Sequence, residues 1–365
     1  MTRSAAVSCE LLCQADEPHL QQIYAGFGML ARAGRIRLRQ RLLPTDFHQP
    51  DLPAHLTEVR ASHLVVIANG LRIGYDVHDA SEVSEELLRR VDVYFKRSWE
   101  ERYVAMCAAP ECVLPLGANV WVHDAAPSLL AWQRTRLLHG QERLKSRLRA
   151  LGLDRLLGDR LFTPRLGDLE APPPLHLKPR VLFLAEAWDP EQAPSAETAA
   201  ERVEINALRA GCMRALREDV GDRATCGFRA TPFARRAFPD LVVDDARLTR
   251  KRNYLALVRE HPVCIASSGL HRSIGWKFAE YLAMSRAIVS ERLHMRLPGS
   301  FAPERNYLEF DSPESCLAAV RRLLDDDQTR ARMTQASLDY YRAHGRPDAL
   351  VAASLQTALS LSGPI

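Results

Sequence analysis

The sequence alternates short apolar runs with longer segments of helical periodicity nearly from end to end. The clearest runs, His63–Ala68, residues 180–185 and Val263–Ala266, have the length of buried strands. Because strands that alternate with helices build parallel sheets covered by helices, the pattern predicts an α/β fold rather than a helical bundle or a sandwich. At 365 residues the chain is long enough for two such domains.

A proline-rich segment at residues 170–179 separates two stretches of this pattern. Its three consecutive prolines cannot continue a helix or a central strand, so we expect an extended linker there. We therefore predict an N-terminal domain at residues 1–168, a linker at 169–179 and a C-terminal domain at 180–345. Residues 346–365 predict a C-terminal helix, and whether it crosses back to the N-terminal domain stays open at this point.

The charge and cysteine content exclude several function classes. The 49 lysines and arginines against 45 aspartates and glutamates give a net charge of +4, too small an excess to indicate a nucleic-acid-binding face. The eight cysteines lack the paired spacings of a zinc ribbon, so we expect neither a metal site nor a disulfide framework. Because a signal pattern and an apolar run of about 20 residues are both lacking, we expect a reduced, cytoplasmic protein.

Residues 26–31 match the Gly-x-Gly-x-x-Ala pattern of dinucleotide-binding turns. That mechanism requires the first glycine at the end of a strand, where the pyrophosphate meets a helix N-terminus. Here Gly26 lies well beyond the strand predicted to end near Cys13, and both glycines fall within a helical pattern. We therefore reject a nicotinamide cofactor and expect these glycines to allow close helix packing.

Residues 265–290 carry the most informative motif, which reads as a strand, a turn of small residues, a helix and a second strand. Free backbone N–H groups of residues 273–275 at the start of that helix suit a diphosphate. The cations of the motif are His271, Arg272 and Lys277. Glu280, on the same helix, can accept hydrogen bonds from the vicinal hydroxyls of a ribose. The alternative interpretation is a surface helix whose charged side chains are solvated.

Together with the Leu-Leu-Asp-Asp-Asp run at residues 323–327 and the arginine-rich residues 329–333, this motif resembles the donor domain of GT-B glycosyltransferases. It is most similar to the group-1 enzymes and their spore-maturation-protein-like relatives, over about residues 180–345. The resemblance implies two Rossmann-like domains facing across a cleft, with C-terminal helices and a nucleotide-sugar donor whose ribose contacts Glu280. The donor-binding candidates are Gly269, His271, Arg272, Ser273, Gly275, Lys277, Glu280 and Arg202.

Two positions depart from the family pattern. Group-1 members often carry a sugar-contacting glutamate eight positions before the ribose glutamate, where this chain has Arg272. A serine, Ser285, replaces the glycine that usually follows two positions after the alanine at the end of the helix. Both departures bear on which sugar is held and on how the donor binds.

The N-terminal half offers candidates for the acceptor side. His78 or Asp79, just after a predicted strand and turn, could act as general base on an acceptor hydroxyl. Equally, Asp79 could cap a helix predicted at residues 81–90 while His78 is merely exposed. Lys96 and Arg97 follow another predicted strand and could contact phosphate or an acidic acceptor, or be ordinary surface charge. Glu186 is a similar candidate, because it follows the first strand of the second half.

Residues 134–160 form a basic stretch with leucines at helical spacing. We expect Leu137, Leu144, Leu148 and Leu151 to pack on the domain while the arginines are solvated. Peripheral contact with an anionic membrane, at the inner face where a glycolipid acceptor would lie, is the alternative hypothesis.

The resemblance implies a glycosyltransferase of polysaccharide biosynthesis, transferring a sugar from a nucleotide-sugar donor to an unidentified acceptor, which could be a glycan, a lipid or a small molecule. We expect a helix N-terminus with Lys277 and Arg272 or Arg202 to neutralise the diphosphate, so that no metal and no cofactor is needed. Two alternatives stay open: a GT-B-fold nucleotide-sugar epimerase, and a non-catalytic sugar-nucleotide-binding partner in glycan assembly.

Overall fold

The computed structural model of the protein describes residues 6–43, 61–123, 128–156, 162–245, 248 and 250–361. Its chain forms two compact units. The first unit comprises Met1–Gly167, Met295–Gly299 and Arg342–Ile365, and the second comprises Asp168–His294 and Ser300–Tyr341.

Strands and helices alternate along the described chain. The strands are β1 (Val7–Cys13), β2 (Ile36–Leu42), β3 (His63–Ala68), β4 (Leu71–Asp76), β5 (Val93–Lys96), β6 (Val113–Pro115), β7 (Val181–Ala185), β8 (Ala224–Arg229), β9 (Val242–Val243), β10 (Val263–Ala266), β11 (Ala287–Glu291) and β12 (Leu308–Phe310). The α-helices are α1 (Gln21–Arg32), α2 (Glu85–Leu88), α3 (Glu101–Val104), α4 (Leu129–Arg134), α5 (Gly140–Ala150), α6 (Leu166–Leu169), α7 (Ala196–Val220), α8 (Pro232–Ala237), α9 (Lys251–Glu260), α10 (Trp276–Ala283), α11 (Pro313–Asp325), α12 (Asp327–Tyr340) and α13 (Pro347–Leu361).

The sheet of the first unit has the strand order β2-β1-β3-β4-β5-β6. This sheet is mixed, because β3 runs antiparallel to both β1 and β4 while the other described pairs are parallel. The expectation of parallel strands therefore does not hold for β3, although the α/β class does. Asn69 and Gly70 are the reason: with φ of 48° and 92° they form a two-residue turn, and so short a connection can only join antiparallel neighbours.

The C-terminal helix α13 belongs to the first unit, where it packs against α1. Val351 and Leu355 join Ile23 and Phe27 in one buried apolar cluster. The glycine pattern of α1 serves this contact, since a Cβ on Gly26 would lie 2.2 Å from the Pro347 carbonyl oxygen. Close helix packing, as expected from the sequence, accounts for Gly26.

The leucine pattern predicted that the leucine face of helix α5 packs on the first unit. The structure instead buries the opposite face. Leu144 and Leu151 are 60% and 49% exposed, whereas Ser146 and Ala150, on the opposite side of the helix, are each 8% exposed. The expectation that the leucines pack is therefore wrong for these two. The small side chains of the other face allow the closer approach, and the leucine side remains at the surface. Residues 157–160 of the predicted basic stretch lie outside the described residues.

The sheet of the second unit has the order β12-β11-β10-β7-β8-β9, and all its described pairs are parallel. The chain proceeds outward from β7 through β8 to β9, and then returns to β10 on the other side of β7. The strand order thus reverses between β7 and β10. In open α/β sheets, ligands bind at the carboxyl ends of the strands at such a reversal.

The start of the proline-rich segment is bound to the second unit. The buried guanidinium of Arg286 donates to the Pro172 carbonyl at 3.1 Å, and the Ser285 hydroxyl donates to the Ala171 carbonyl at 2.7 Å. Ser285 has a φ of 57°, a left-handed conformation that glycine adopts more readily than serine. None of the described helices is both long and apolar enough to cross a membrane.

Candidate functional site

A pocket of about 340 Å³ opens in the second unit at the carboxyl ends of β7 and β10. This is the reversal point of the sheet, where a ligand is expected. Its lining includes two glycines, Gly269 and Gly275, and ten residues with charged or hydroxyl side chains: Glu186, Arg209, Lys251, Ser267, Ser268, Arg272, Ser273, Lys277, Glu280 and Ser290. The structure therefore brings together six of the eight predicted donor residues, together with Glu186. His271 and Arg202 are not among the lining residues.

Arg209 fastens the two loops that shape the pocket. Its guanidinium donates to the Glu186 carbonyl after β7 at 2.7 Å, and to the Ser267 hydroxyl and Ser268 carbonyl after β10, both at 2.8 Å. It also lies 4.6 Å from the ring centre of Trp188. Burial lowers the pKa of Arg209 to about 10, so the guanidinium is charged at neutral pH.

The loop after β10 has an unusual backbone. His271 and Arg272 both adopt left-handed conformations, with φ of 58° and 54°. Two such non-glycine residues in sequence are uncommon, and strain of this kind concentrates at binding sites. The His271 N–H donates to the Glu201 carboxylate at 2.7 Å. Gly269 has no room for a side chain, because a Cβ would lie 2.5 Å from the Ser273 hydroxyl oxygen.

The start of helix α10 faces the pocket, but its amide groups are not all free. The Ser273 N–H donates to the Leu270 carbonyl at 3.1 Å, so the expectation of free N–H groups throughout residues 273–275 is wrong for Ser273. The reason is the tight turn that Leu270–Arg272 makes before the helix. Gly275 is the N-cap, no side chain caps the helix there, and Gly275 and Trp276 line the pocket, so the positive end of the helix dipole lies at the pocket wall.

Lys277 places an ammonium group inside the pocket. Its Nζ donates to the Leu184 carbonyl at the end of β7 and lies 5.1 Å from the ring centre of Tyr254. Burial lowers the pKa of Lys277 to about 8, and the nearby Arg209 guanidinium adds to the effect. The amine is therefore close to its titration point at mildly alkaline pH.

Glu280 is fully buried at the base of the pocket. One of its carboxylate oxygens, Oε1, pairs with the Lys251 ammonium. The other, Oε2, has no hydrogen-bond partner among the described residues. A buried carboxylate oxygen without a donor is destabilising, so this atom is placed to accept a hydrogen bond from a ligand.

The predicted cation Arg202 serves another purpose. Its guanidinium donates to the Asp189 carbonyl at 2.7 Å, which holds the loop after β7. Its role in neutralising a diphosphate is not supported, because this bond holds it away from the pocket lining. Glu186 keeps its carboxylate at the surface, where it pairs with Arg229 at 2.6 Å.

In the first unit, the general-base candidates lie where β4 and β5 end. Asp79 pairs with Arg97, which is itself buried. Burial alone would raise the pKa of Asp79, but the Arg97 guanidinium holds it below its usual value. The alternative that Asp79 caps a helix is wrong: Ser84 caps α2, accepting from the Leu87 N–H at 3.3 Å, and this helix starts only at Glu85.

Lys96 is fully buried, so neither an acceptor contact nor ordinary surface charge describes it. Its Nζ donates to Asp76 Oδ2 at 2.9 Å, and the Tyr94 hydroxyl donates to the same oxygen. The His78 N–H donates to Oδ1 at 2.9 Å. Because the buried ion pair satisfies both charges, Lys96 is a structural residue of the first unit. Arg97 is likewise occupied by its ion pair rather than free for an acceptor.

Two pocket residues, Arg209 and Lys251, were missed from the sequence. Each lies in a helix among other charged residues, where one arginine or lysine looks like solvated surface charge. No spacing signal marks them, because their partners lie 23 or more positions away in the chain. Among the residues that the structure describes, no three histidine, cysteine or acidic side chains are grouped so as to hold a metal ion.

Comparison with known proteins identifies the segment that contains most of this pocket. Residues 209–355 match the model of a family described as glycosyl transferase-like. Among solved structures, the chain is similar to S. aureus MnaA in complex with UDP (13% identity, 95% of this chain and 94% of that chain covered, TM-score 0.38). It is also similar to Anabaena Alr3699/HepE in complex with UDP and glucose (11% identity, 93% and 89% covered, TM-score 0.35).

A third similar structure is a glycosyltransferase from Rickettsia africae ESF-5 (8% identity, TM-score 0.37), for which 75% of this chain and 64% of that chain are covered. The comparison with curated proteins gave no match. Residues 209–355 are thus a glycosyl transferase-like domain, which confirms the resemblance to glycosyltransferases and the enzyme class predicted from the sequence. The predicted α/β fold class with two sheets is also confirmed. Membership of the spore-maturation-protein-like subfamily stays a prediction.

Proposed function

We propose that the protein transfers a sugar from a nucleoside-diphosphate donor bound in the pocket of the second unit to an acceptor. The observation that carries the proposal is Glu280, whose buried Oε2 lacks a donor while cations surround the rest of the pocket. A nucleotide sugar supplies complementary groups on one molecule: ribose hydroxyls that donate hydrogen bonds, and a diphosphate that requires positive charge.

Glu280 distinguishes this ligand from a simple anion. A carboxylate accepts hydrogen bonds and repels phosphate, so it belongs at the ribose rather than at the diphosphate. Oε1 is held by Lys251, which fixes the orientation of the carboxylate before the ligand arrives. Oε2 is then the atom that a ribose hydroxyl satisfies.

The diphosphate is proposed to lie against Arg272 and the start of α10. Arg272 lines the pocket, and its guanidinium makes no ion pair or hydrogen bond with the described residues. By contrast, Arg209 is occupied by loop oxygens and Lys277 by the Leu184 carbonyl. Arg272 is therefore the pocket cation most available to a phosphate, with Lys277 and the helix dipole adding positive potential.

These fixed charges support transfer without a divalent metal, because they can stabilise the leaving diphosphate themselves. We expect full activity in the presence of excess EDTA. Loss of activity that added Mg²⁺ or Mn²⁺ restores would contradict metal independence.

For the acceptor side, we propose His78 rather than Asp79 as the general base. Asp79 is occupied by Arg97, and its lowered pKa makes it a weak base. His78→Gln is expected to lower kcat about 100-fold or more with little change in donor affinity. An unchanged kcat would remove His78 from this role.

The leucine side of α5 is proposed to rest on an anionic membrane. Leu144 and Leu151 project from it, and Leu156 just beyond is 80% exposed. Arg143 and Lys145 supply positive charge on the same helix. In flotation with phosphatidylglycerol vesicles we expect the protein to float, and Leu144→Asp with Leu151→Asp to abolish floating. Flotation that the double variant leaves intact would exclude this surface.

Calorimetric titration with UDP, GDP, ADP, CDP and TDP tests the donor site. We expect one of them to bind, and Arg272→Ala to weaken its binding about tenfold through loss of a charge-assisted hydrogen bond. Arg202→Ala is the matched control, because the Arg202 guanidinium donates to the Asp189 carbonyl and is not among the pocket-lining residues, so its loss should leave affinity unchanged. Absence of binding by all five would overturn the proposal.

The corresponding nucleotide sugars then separate the reactions. A glycosyltransferase releases nucleoside diphosphate faster when an acceptor is present. An epimerase converts the donor without an acceptor, and a binding protein leaves the donor unchanged. Either of the latter two results would contradict sugar transfer while leaving the donor site in place.

A further inference from the structure

A small cavity of the first unit lies beyond the end of β1, against the face of α5 opposite its exposed leucines. It measures about 50 Å³. The lining residues that can carry charge near neutral pH are Asp16, His123, Arg134, Arg149, Asp154 and Arg165, and the Tyr24 phenol lines the cavity beside them. Three arginines thus face two aspartates, and the charge balance depends on how these groups pair.

Both carboxylate oxygens of Asp16, which lines the cavity, have hydrogen-bond donors. Its Oδ1 accepts from Arg134 Nε and from Gln21 Nε2, both at 3.0 Å, and its Oδ2 accepts from the Ser146 hydroxyl at 3.0 Å. Burial alone would raise the pKa of Asp16, but the Arg134 guanidinium holds it below its usual value. Asp16 and Arg134 therefore form a closed ion pair.

A second ion pair is closed as well. Arg165 donates to Asp154 Oδ1 at 3.0 Å, and the Asp154 side chain is buried. His123 adds no charge at neutral pH, because burial lowers its pKa to about 4. Both aspartates are thus paired, and one arginine of the lining is left over.

That arginine is Arg149. Its Nε is buried and has no hydrogen-bond partner among the described residues, and its guanidinium lies 5.9 Å from the ring centre of Trp121. Burial lowers the pKa of Arg149, but an arginine remains charged at neutral pH. The Arg149 side chain is only partly buried, but its Nε–H is shielded from solvent, and a shielded N–H without an acceptor is unfavourable.

We propose that this cavity binds one anionic group, a phosphate or a carboxylate, through the guanidinium of Arg149. The surplus of one positive charge matches one anionic group. The size of the cavity also fits a small anion. A cavity that admits a benzene ring measures about 150 Å³, and this one is a third of that. A sugar ring or a nucleobase is therefore too large, whereas an oxyanion fits. The site is separate from the donor pocket and does not depend on the proposed reaction.

The test is calorimetric titration of inorganic phosphate and of acetate into the Arg272→Ala protein, in which the main phosphate contact of the donor pocket has been removed. We expect at least one of the two anions to bind. Adding Arg149→Gln should weaken that binding tenfold or more, whereas adding Arg149→Lys, which keeps the charge, should weaken it only a few-fold. The matched control is Arg147→Gln, because Arg147 lies on the same helix over Trp132 and does not line the cavity.

Unchanged anion binding in the Arg149→Gln protein, or no binding of either anion at millimolar concentration, would overturn the proposal. Nucleoside-diphosphate affinity of the single Arg149→Gln protein checks that the chain is folded, and it should equal that of the parent. Vesicles of phosphatidylcholine with and without phosphatidic acid identify the source of the group. A loss of binding to the acidic vesicles in the Arg149→Gln protein indicates a lipid head group. Vesicle binding that Arg149→Gln leaves unchanged, together with weakened binding of the free anions, indicates a soluble ligand.

Discussion

Two buried carboxylates, Asp76 in the first unit and Glu280 in the second, differ in whether both of their oxygens have donors. In the first unit, the Asp76 carboxylate receives hydrogen bonds from Lys96, Tyr94 and the His78 backbone, so both of its oxygens have donors within the protein. In the second unit, Glu280 keeps one buried oxygen without a donor, beside a pocket of about 340 Å³. Both clusters follow strands of an α/β sheet, and sequence position alone does not separate them. What separates the two carboxylates is whether both oxygens have donors within the protein, since a buried acceptor without a donor is open to a hydrogen bond from a ligand.

The largest expected effect concerns stability and tests the closed cluster of the first unit. Lys96→Met leaves the Asp76 carboxylate buried without its cation, and removing one partner of a buried ion pair costs about 3–5 kcal/mol. The free energy of unfolding measured in urea should fall accordingly, while nucleotide affinity under native conditions stays unchanged.

The control for this prediction is Arg90→Met, because the Arg90–Glu86 pair is about half exposed. Exposed pairs contribute about 0–1 kcal/mol, so the control should be nearly neutral. If both variants lost the same free energy of unfolding, the buried Lys96–Asp76 pair would contribute no more to stability than an exposed pair.

The contact between α1 and α13 predicts a smaller loss. Gly26→Ala places a Cβ against the Pro347 carbonyl, and overpacking of this kind costs about 1–3 kcal/mol. Gly167→Ala is the matched control, because a Cβ there meets no atom within 4 Å and should be neutral or slightly stabilising. Thermal unfolding of both variants measures the difference, and a neutral Gly26→Ala would contradict the packing role of this glycine.

The pH dependence of donor binding tests whether the Lys277 ammonium in the pocket of the second unit contributes to affinity. The pKa of Lys277 is lowered to about 8, so its ammonium is charged below pH 8 and is lost as the pH rises through that value. Affinity for a nucleoside diphosphate should therefore be nearly constant well below pH 8 and fall as the pH rises through and above it, by at most about tenfold per pH unit.

Lys277→Arg should extend the constant range upward, because an arginine keeps its charge. Titration calorimetry between pH 7 and pH 9.5 gives both profiles. Profiles that coincide for the two proteins would show that the Lys277 charge does not contribute to binding.

The elements of the fold were largely predictable from the sequence, because apolar runs and capping residues are local signals. Helix α7 begins after Ser195, whose hydroxyl accepts from the Thr198 N–H at 3.1 Å, as such a cap requires. The short length of α2 and the direction of β3 were not predicted. In both cases a local signal, Ser84 or the turn at Asn69, outweighs the average α/β pattern.

The site was predictable only in part. Glycine, serine and charged residues of one continuous motif lie together in the pocket, because a strand–turn–helix unit keeps them close. Arg209, by contrast, reaches the pocket from a separate helix, and the burial of Lys96 depends on Asp76, 20 positions away. The leucines of α5 show a further limit: periodicity finds two faces of a helix but does not say which of them is packed.

The central claim is that the free oxygen of Glu280 accepts a hydrogen bond from a ribose. The most direct measurement is a double-mutant cycle between Glu280→Ala and the ribose hydroxyls, using the nucleoside diphosphate that binds best and its 2′-deoxy and 3′-deoxy forms. A hydrogen bond to a charged group contributes about 1.5–3 kcal/mol, so at least one deoxy ligand should bind the parent protein about tenfold or more weakly. Glu280→Ala should bind the ribose and deoxy ligands alike. Full discrimination retained by Glu280→Ala, or none in the parent protein, would contradict the account.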